Sequence, residues 1–511
     1  MWVTLVVRSL IEGLEGGDSI KDLQRRLSTL PAGLEPLYQR MVENIEPFYH
    51  EQAAQLFRIV HISVLPLSPL AVSFLEDDPR LSLLDEDSVI TETEISRRHI
   101  LVSKRLKARS AGLIEMGIVK RIDDNSDESN LGDSREDTPT TWRPAKVQFL
   151  HLTVKEFMET QKMRNWLATR PSTTGSNTDT QIVTCCLRQI KSTGVLDLYN
   201  YTQRGAYVEY YDNPQYELSK FIQACQGGTI FLILSHALQA ERTTQKSQLI
   251  YLESLNKFLQ GLKLYPVIQE SDTTEEGQTP WHWTSSRFGD WSEPTGWRSD
   301  FVSYLVTIGM KRSAIKIIEK GYKPASKPGR PLLFYAISNV APDYAIGNLE
   351  RDTVDPSIIE ELLNRGCNPN QSFNSLRAQD IQDIGFGTAW GSALFHLWRR
   401  FCFHRPRTEE ARQYYDELSR QETAMNDLLL RWLKTVKLFL EHGADAKIIV
   451  LDQDRSKRHR WSFKLSALSI FNGVFSDFDN PLKSSTQQLL LSKGAIEVEE
   501  DLLRNSPLSW D

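Results

Sequence analysis

Four segments of the C-terminal half end in the same way. An apolar helical stretch runs into a glycine and then a short polar turn: IIEKGYKPA, LLNRGCNPN, FLEHGADAK and LLLSKGAIE, with the glycines at Gly321, Gly366, Gly443 and Gly494. A glycine there takes the left-handed conformation that closes a helix, at less cost than any residue with a side chain. The apolar pairs before it (Ile317-Ile318, Leu362-Leu363, Phe439-Leu440, Leu490-Leu491) cannot be buried inside one short unit. The units must therefore stack on one another.

A helix pair closed by a turn and repeated is the ankyrin pattern. GRPLLFYAI (Gly329–Ile337) and GTAWGSALFHLW (Gly387–Trp398) look like worn versions of the motif that opens such a pair. Successive glycines are 45, 77 and 51 residues apart, all longer than the usual period of about 33. Residues 301–511 are thus expected to be a degenerate ankyrin-like α-solenoid, with an insertion at Phe401–Gln421 and a concave face open to a protein partner.

The front of the chain reads as helices as well. Ile20, Leu23, Leu27 and Leu30 line one helix face, capped by Asp18 or Ser19 and ended by Pro31. Leu34, Leu37, Tyr38, Met41 and Ile45 form a second stripe; Leu56, Ile59 and Val60 mark a third. Ile95–Ala111 is a basic helix carrying Arg97, Arg98, Lys104, Arg105, Lys107 and Arg109. Strands are expected at Leu113–Ile122 and Lys146–Leu150. Between them Asp123–Thr141 holds seven carboxylates, one arginine and one leucine, a composition that cannot bury itself. Helix, strand, long acidic wing, strand and helix suggest a winged-helix unit. Thr153 to Glu156 reads as a capping box opening the helix of Val154, Phe157 and Met158. Helices follow at Gln181–Lys191, Leu218–Ala240 and Leu249–Leu262.

The expected organisation is a helical connector at 1–48, a winged-helix-like domain at 49–170 with its wing at 123–141, a helical domain at 178–265, a Trp-containing linker at 266–300 (Trp281, Trp283, Trp291, Trp297) and the repeats at 301–511. The fold class is mainly α. A net charge of −6 over 511 residues gives no general drive towards nucleic acid or anionic membranes. Five cysteines without a C-x-x-C spacing argue against disulfide frameworks and zinc sites. No apolar run is long enough to span a bilayer, no signal peptide is read at the N-terminus, and a cytoplasmic location is expected.

Two stretches carry a family resemblance. Leu30-Pro31-Ala32-Gly33-Leu34 with Leu37-Tyr38, inside the segment starting at Trp2, resembles the region just after the NACHT core in a large fungal family of STAND NTPases. VQFLHLTVKEFM, Val147–Met158, looks like that family's second hallmark, and animal NOD-like receptors have a similar Phe-Leu-His segment. YELSKFIQACQ, FVSYLVTIGM and GRPLLFYAI resemble its later helical parts. The resemblance implies a non-catalytic regulatory and protein-interaction module of a signal-transduction NTPase. Its partners would be a protein bound through residues 301–511 and a NACHT ATPase module, with no membrane contact. It also implies that His151 touches the phosphate of bound ADP in a full-length parent.

A histidine near a helix start, where free amides and the helix dipole favour anions, is physically suited to that contact. No G-x-x-x-x-G-K followed by Ser or Thr occurs in the chain, so any nucleotide must be cradled by residues outside it. No cofactor is therefore expected for these residues alone, ADP or ATP entering only with the NACHT core. No metal site and no catalytic constellation are read either. The plainer reading of His151 is a hydrogen-bonded strand-end residue, that of the basic helix a solvated or internally paired face, and that of Arg455–Arg460 an ordinary basic loop. Alternatives at this stage are a nucleic-acid-binding winged-helix regulator using Ile95–Ala111 and a truncated product without independent function.

Overall fold

The computed structural model describes residues 7, 10–11, 13–29, 33–84, 90–118, 145–170, 177–193, 229–260, 300–337, 354–372, 387–398, 401, 422–453 and 462–501. The acidic wing, the four linker tryptophans, Arg455–Arg460 and nearly all of the expected 401–421 insertion lie outside these residues. The chain divides into two compact units, Met1–Leu262 and Lys263–Asp511. Among the described residues both are mainly helical, with one two-stranded and one three-stranded antiparallel sheet.

The first unit opens with α1 (Ile20–Thr29) and α2 (Leu34–Glu43). Ser19 and Asp22 cap α1 reciprocally: the Asp22 amide donates to Ser19 Oγ at 3.3 Å and the Ser19 amide donates to Asp22 Oδ2 at 3.1 Å. Ile20, the first residue of the expected buried stripe, is 77% exposed. Of the second stripe, Leu37, Tyr38 and Ile45 are buried and Leu34 and Met41 half-buried, and Val42 is buried as well.

Next come α3 (His50–Ile62), α4 (Pro69–Ser73), α5 (Glu92–Ser110), β1 (Ile114–Ile118) and β2 (Ala145–Phe149). β1 and β2 pair antiparallel, with Ile114 opposite Phe149 and Ile118 opposite Ala145. Leu67, between α3 and α4, bridges to Val147 and adds a third strand stub on the far side of β2. Helix, strand stub, two helices and a hairpin whose second strand lies centrally are the winged-helix order. Its core is Leu56, Ile59, Leu67, Leu70, Val102, Leu106, Ile114 and Val147, all buried. The turn from α5 into β1 places Ala111 in the left-handed region, at φ 49°.

α6 (Leu152–Met158) and α7 (Gln161–Ala168) follow the hairpin. α8 (Thr178–Thr193), α9 (Thr229–Thr244) and α10 (Leu249–Gln260) complete the unit, α8 packing along α9. Cys185 and Cys186 on α8 are buried core residues, as their apolar helical setting suggests.

The second unit is a two-row stack. Its first row is α11 (Phe301–Thr307), α13 (Leu332–Ile337), α15 (Ala389–Trp398) and α17 (Ala467–Phe475). Its second row is α12 (Lys311–Glu319), α14 (Pro356–Asn364), α16 (Glu422–Glu441) and α18 (Pro481–Ser492). Each first-row helix packs on its second-row mate and on the next helix of its own row. Gly321, Gly366, Gly443 and Gly494 close the second-row helices at φ 112°, 84°, 86° and 82°, so all four glycines identified in the sequence occupy the left-handed position.

Two features were not anticipated. β3 (Ile449–Gln453), β4 (Ser462–Ser466) and β5 (Glu499–Asp501) form a small sheet with β4 central; β3 and β4 join the third pair to the fourth, and β5 follows the fourth. All seven residues of α11 and all six of α13 are buried. Both helices are therefore covered on every side, and neither offers an open face along its length.

Candidate functional site

His151 stands between β2 and α6, on the surface of the first unit. The capping box expected at Thr153 is displaced by two residues. The helix starts at Leu152, and its cap is His151 itself, whose Nδ1 accepts the Thr153 amide proton at 3.2 Å. The physical reason is that the Thr153 hydroxyl is engaged elsewhere. Thr153 Oγ1 lies 2.7 Å from the Tyr38 hydroxyl and 3.0 Å from His151 Nδ1. The next amide, of Val154, already donates to the His151 carbonyl. Two of the helix-start amides expected to favour an anion, those of Thr153 and Val154, are thus occupied.

The two segments carrying the family resemblance meet here. Tyr38 is 1% exposed, and its ring lies 5.6 Å from that of Phe157, tilted by 54°. One apolar and one polar contact therefore join α2 to α6 across more than a hundred residues of sequence. Leu152, next to His151, is 66% exposed.

Behind this face, α7 is closed by cations. Arg58 Nη2 donates to the carbonyls of Leu167 and Arg170, and Arg170 Nη1 donates to that of Trp166. Cations at a helix C-terminus satisfy orphan carbonyls and oppose the dipole. The Arg170 guanidinium also stacks 4.2 Å over the Trp166 ring. Burial lowers the affinity of Arg58 and of His61 for a proton.

The basic helix is α5, and four of its six cations are paired with carboxylates of the same unit. Arg105 pairs with Glu76 at 3.2 Å, and Arg109 pairs with the same carboxylate. Arg98 bonds Glu94 at 2.9 Å and Ser73 Oγ at 3.2 Å, and lies over the Phe74 ring. Arg97 is exposed but chelated by Glu94, which its hydrogen bonds hold down to a pKa of about 2. Lys104 and Lys107 face solvent. Among the described residues the helix is internally paired, with Glu76 and Glu94.

One buried polar pair leaves no trace in the linear pattern of residues. His236 on α9 is 2% exposed; its Nδ1 lies 2.8 Å from Asp179 Oδ1 on α8. Its Nε2 faces the Val64 amide at 3.4 Å. Nε2 accepts from the amide, so Nδ1–H donates to the carboxylate. With both nitrogens engaged, the pair ties α8, α9 and the α3–α4 connection together. No group of three or more His, Cys, Asp or Glu that could hold a metal is present among the described residues.

In the second unit adjacent turns are joined by side chains. Asn370 Nδ2 donates to the Gly443 carbonyl at 2.8 Å, and Asn370 Oδ1 accepts the Asp445 amide at 2.9 Å. Trp390 Nε1 donates to the Asp445 carbonyl at 3.0 Å while its ring stacks on Phe439. The outer surfaces of α14 and α16 carry i,i+4 ion pairs: Arg365–Glu361, Arg431–Asp427 and Lys437–Glu441.

A family model described as a domain of unknown function (DUF7791) matches residues 44–196. The span starts just after α2 and contains the winged helix, His151, α6, α7 and α8. It covers less than a third of the chain. No curated protein and no solved structure matches. Among the described residues, no helix is long and apolar enough to cross a membrane.

Proposed function

We propose that this chain is a non-catalytic regulatory module of a NACHT-type signal-transduction NTPase of the fungal STAND class, acting in the cytoplasm. Its first unit seats against a nucleotide-binding core, and its ankyrin-like stack engages a protein partner. The observation that carries the reading is the meeting of Tyr38, Thr153 and His151. Two segments that resemble hallmarks of that class are brought into direct contact, and the histidine between them remains at the surface. Ile11, Leu14 and Ile20 also leave apolar area exposed at the front of the unit, as a surface that seats on another module does.

In this reading His151 donates Nε2–H to a phosphate oxygen of bound ADP and holds the resting state. Lys, Arg and Mg²⁺ contacts to the phosphates belong to the nucleotide-binding core. With the first row of the stack closed, the partner surface of residues 301–511 comprises the outer faces of α12, α14 and α16 and the turns that follow them.

The test uses the longest protein encoded at the locus. An in-frame P-loop is expected upstream of Met1. In that protein His151→Ala should release ADP roughly 10- to 100-fold faster, the range for one hydrogen bond to a charged group. A locus with no such P-loop, or an ADP off-rate unchanged by the substitution, refutes the reading.

A further inference from the structure

The contact chain from α2 to His151 has a direction. The Thr153 amide donates to Nδ1 of His151, so Nδ1 carries the lone pair and Nε2 the ring proton. The Thr153 hydroxyl, 3.0 Å from that same nitrogen, then donates to it as well, sharing the nitrogen's one lone pair with the amide. Its oxygen is left to accept from the Tyr38 hydroxyl at 2.7 Å. The opposite order would strand the Tyr38 O–H in a residue that is 1% exposed, and buried donors are almost always paired. Every proton is therefore placed: Tyr38 to Thr153, Thr153 to His151, and the Nε2 proton outward.

We propose that Tyr38 and Thr153 are positioning residues that hold the His151 ring with Nε2–H turned outward, and that they make its placement depend on the seating of α2. The purpose of that placement rests on the proposed function; its geometry does not. The Tyr38–Phe157 ring contact tolerates small displacements of α2, whereas a hydrogen bond weakens steeply with distance and angle. A shift of α2 thus breaks the hydroxyl link first and loosens the Thr153 hydroxyl's hold on the imidazole, while the Thr153 amide bond and the apolar contact survive. A movement at the front of the unit is thereby converted into a change in one hydrogen-bond donor at the surface.

The experiment is long-range ¹H–¹⁵N spectroscopy of the His151 ring together with amide exchange at Thr153, on the full 511-residue chain. Tyr38→Phe keeps the ring against Phe157 and deletes only the hydroxyl. Thr153→Val removes the middle link, and Thr153→Ser retains it. Both Tyr38→Phe and Thr153→Val should move the Nδ1 resonance towards that of an unbonded imidazole nitrogen. Tyr38→Phe should also speed Thr153 exchange about 2- to 10-fold, as expected for one neutral hydrogen bond. Thr153→Ser should resemble the parent, and amides in α3 and α5 should be unchanged. Identical His151 nitrogen shifts in the parent, Tyr38→Phe and Thr153→Val overturn the proposal. If the shifts move but ADP release in the full-length protein is insensitive to Tyr38, the positioning role stands and the phosphate reading falls.

Discussion

Removing Asn370 should loosen the stack at one identifiable amide. Its side chain is half-buried and makes two hydrogen bonds to the next turn, one to the Gly443 carbonyl and one from the Asp445 amide. Neutral hydrogen bonds contribute a net of about 0.5–1.5 kcal/mol each, and water reaching the site offsets part of that. Asn370→Ala should therefore cost about 1–2 kcal/mol locally, which is roughly a 5- to 30-fold change in opening equilibrium. The assay is hydrogen exchange at the Asp445 amide, in the regime where exchange reports the opening equilibrium.

Asn370→Asp sharpens the test because it preserves shape. The carboxylate still accepts from Asp445 but faces the Gly443 carbonyl with no proton to donate. At neutral pH it should be no better than alanine. Below the ordinary aspartate value of about 4 the protonated acid can donate to that carbonyl, so protection should recover as pH falls. Asp445 exchange in Asn370→Ala equal to that of the parent would refute the idea that these bonds hold adjacent pairs together.

Three other outcomes are expected. Ala111→Gly should stabilise the first unit by about 0.5–1 kcal/mol in chemical denaturation, because a left-handed alanine is strained and glycine is not, offset by glycine's greater unfolded-state entropy. Cys185 and Cys186 should resist thiol reagents at pH 8 until the protein unfolds, since burial pushes the Cys185 thiol up to about 12 and that of Cys186 well above its ordinary value. Glu94 should titrate near 2 by NMR, against an ordinary value of 4.5. Its folded pKa is depressed, so its contribution is present above 4.5 and fades as pH falls towards 2, and Arg97→Gln should move the midpoint upward.

What the sequence made legible was local chemistry. The helix-closing glycines, the Ser19 cap, the buried stripe of α2 and the hairpin flanking the acidic wing all follow from residues within a few positions of one another. The polar details of the candidate site did not. Thr153 followed by Glu156 is a sound capping signal on its own. It fails because Tyr38, distant in sequence, claims the hydroxyl and leaves a histidine to cap. The ion pairs of Arg105 and Arg109 with Glu76, and the His236–Asp179 pair, also join residues whose proximity is set by tertiary packing. β3, β4 and β5 were missed because short strands inside a helical repeat leave almost no periodic trace.

The glycine separations of 45, 77 and 51 residues look irregular on paper, yet the third helix pair still packs on the second in both rows, with Asn370 bonding turn to turn. Neighbours are aligned by where their turns touch, not by how much chain runs between them. The intervening segments are therefore free to lengthen, shorten or acquire new sequence over evolutionary time without dislodging the pairs on either side. Such a scaffold can change what it displays while keeping what it stands on.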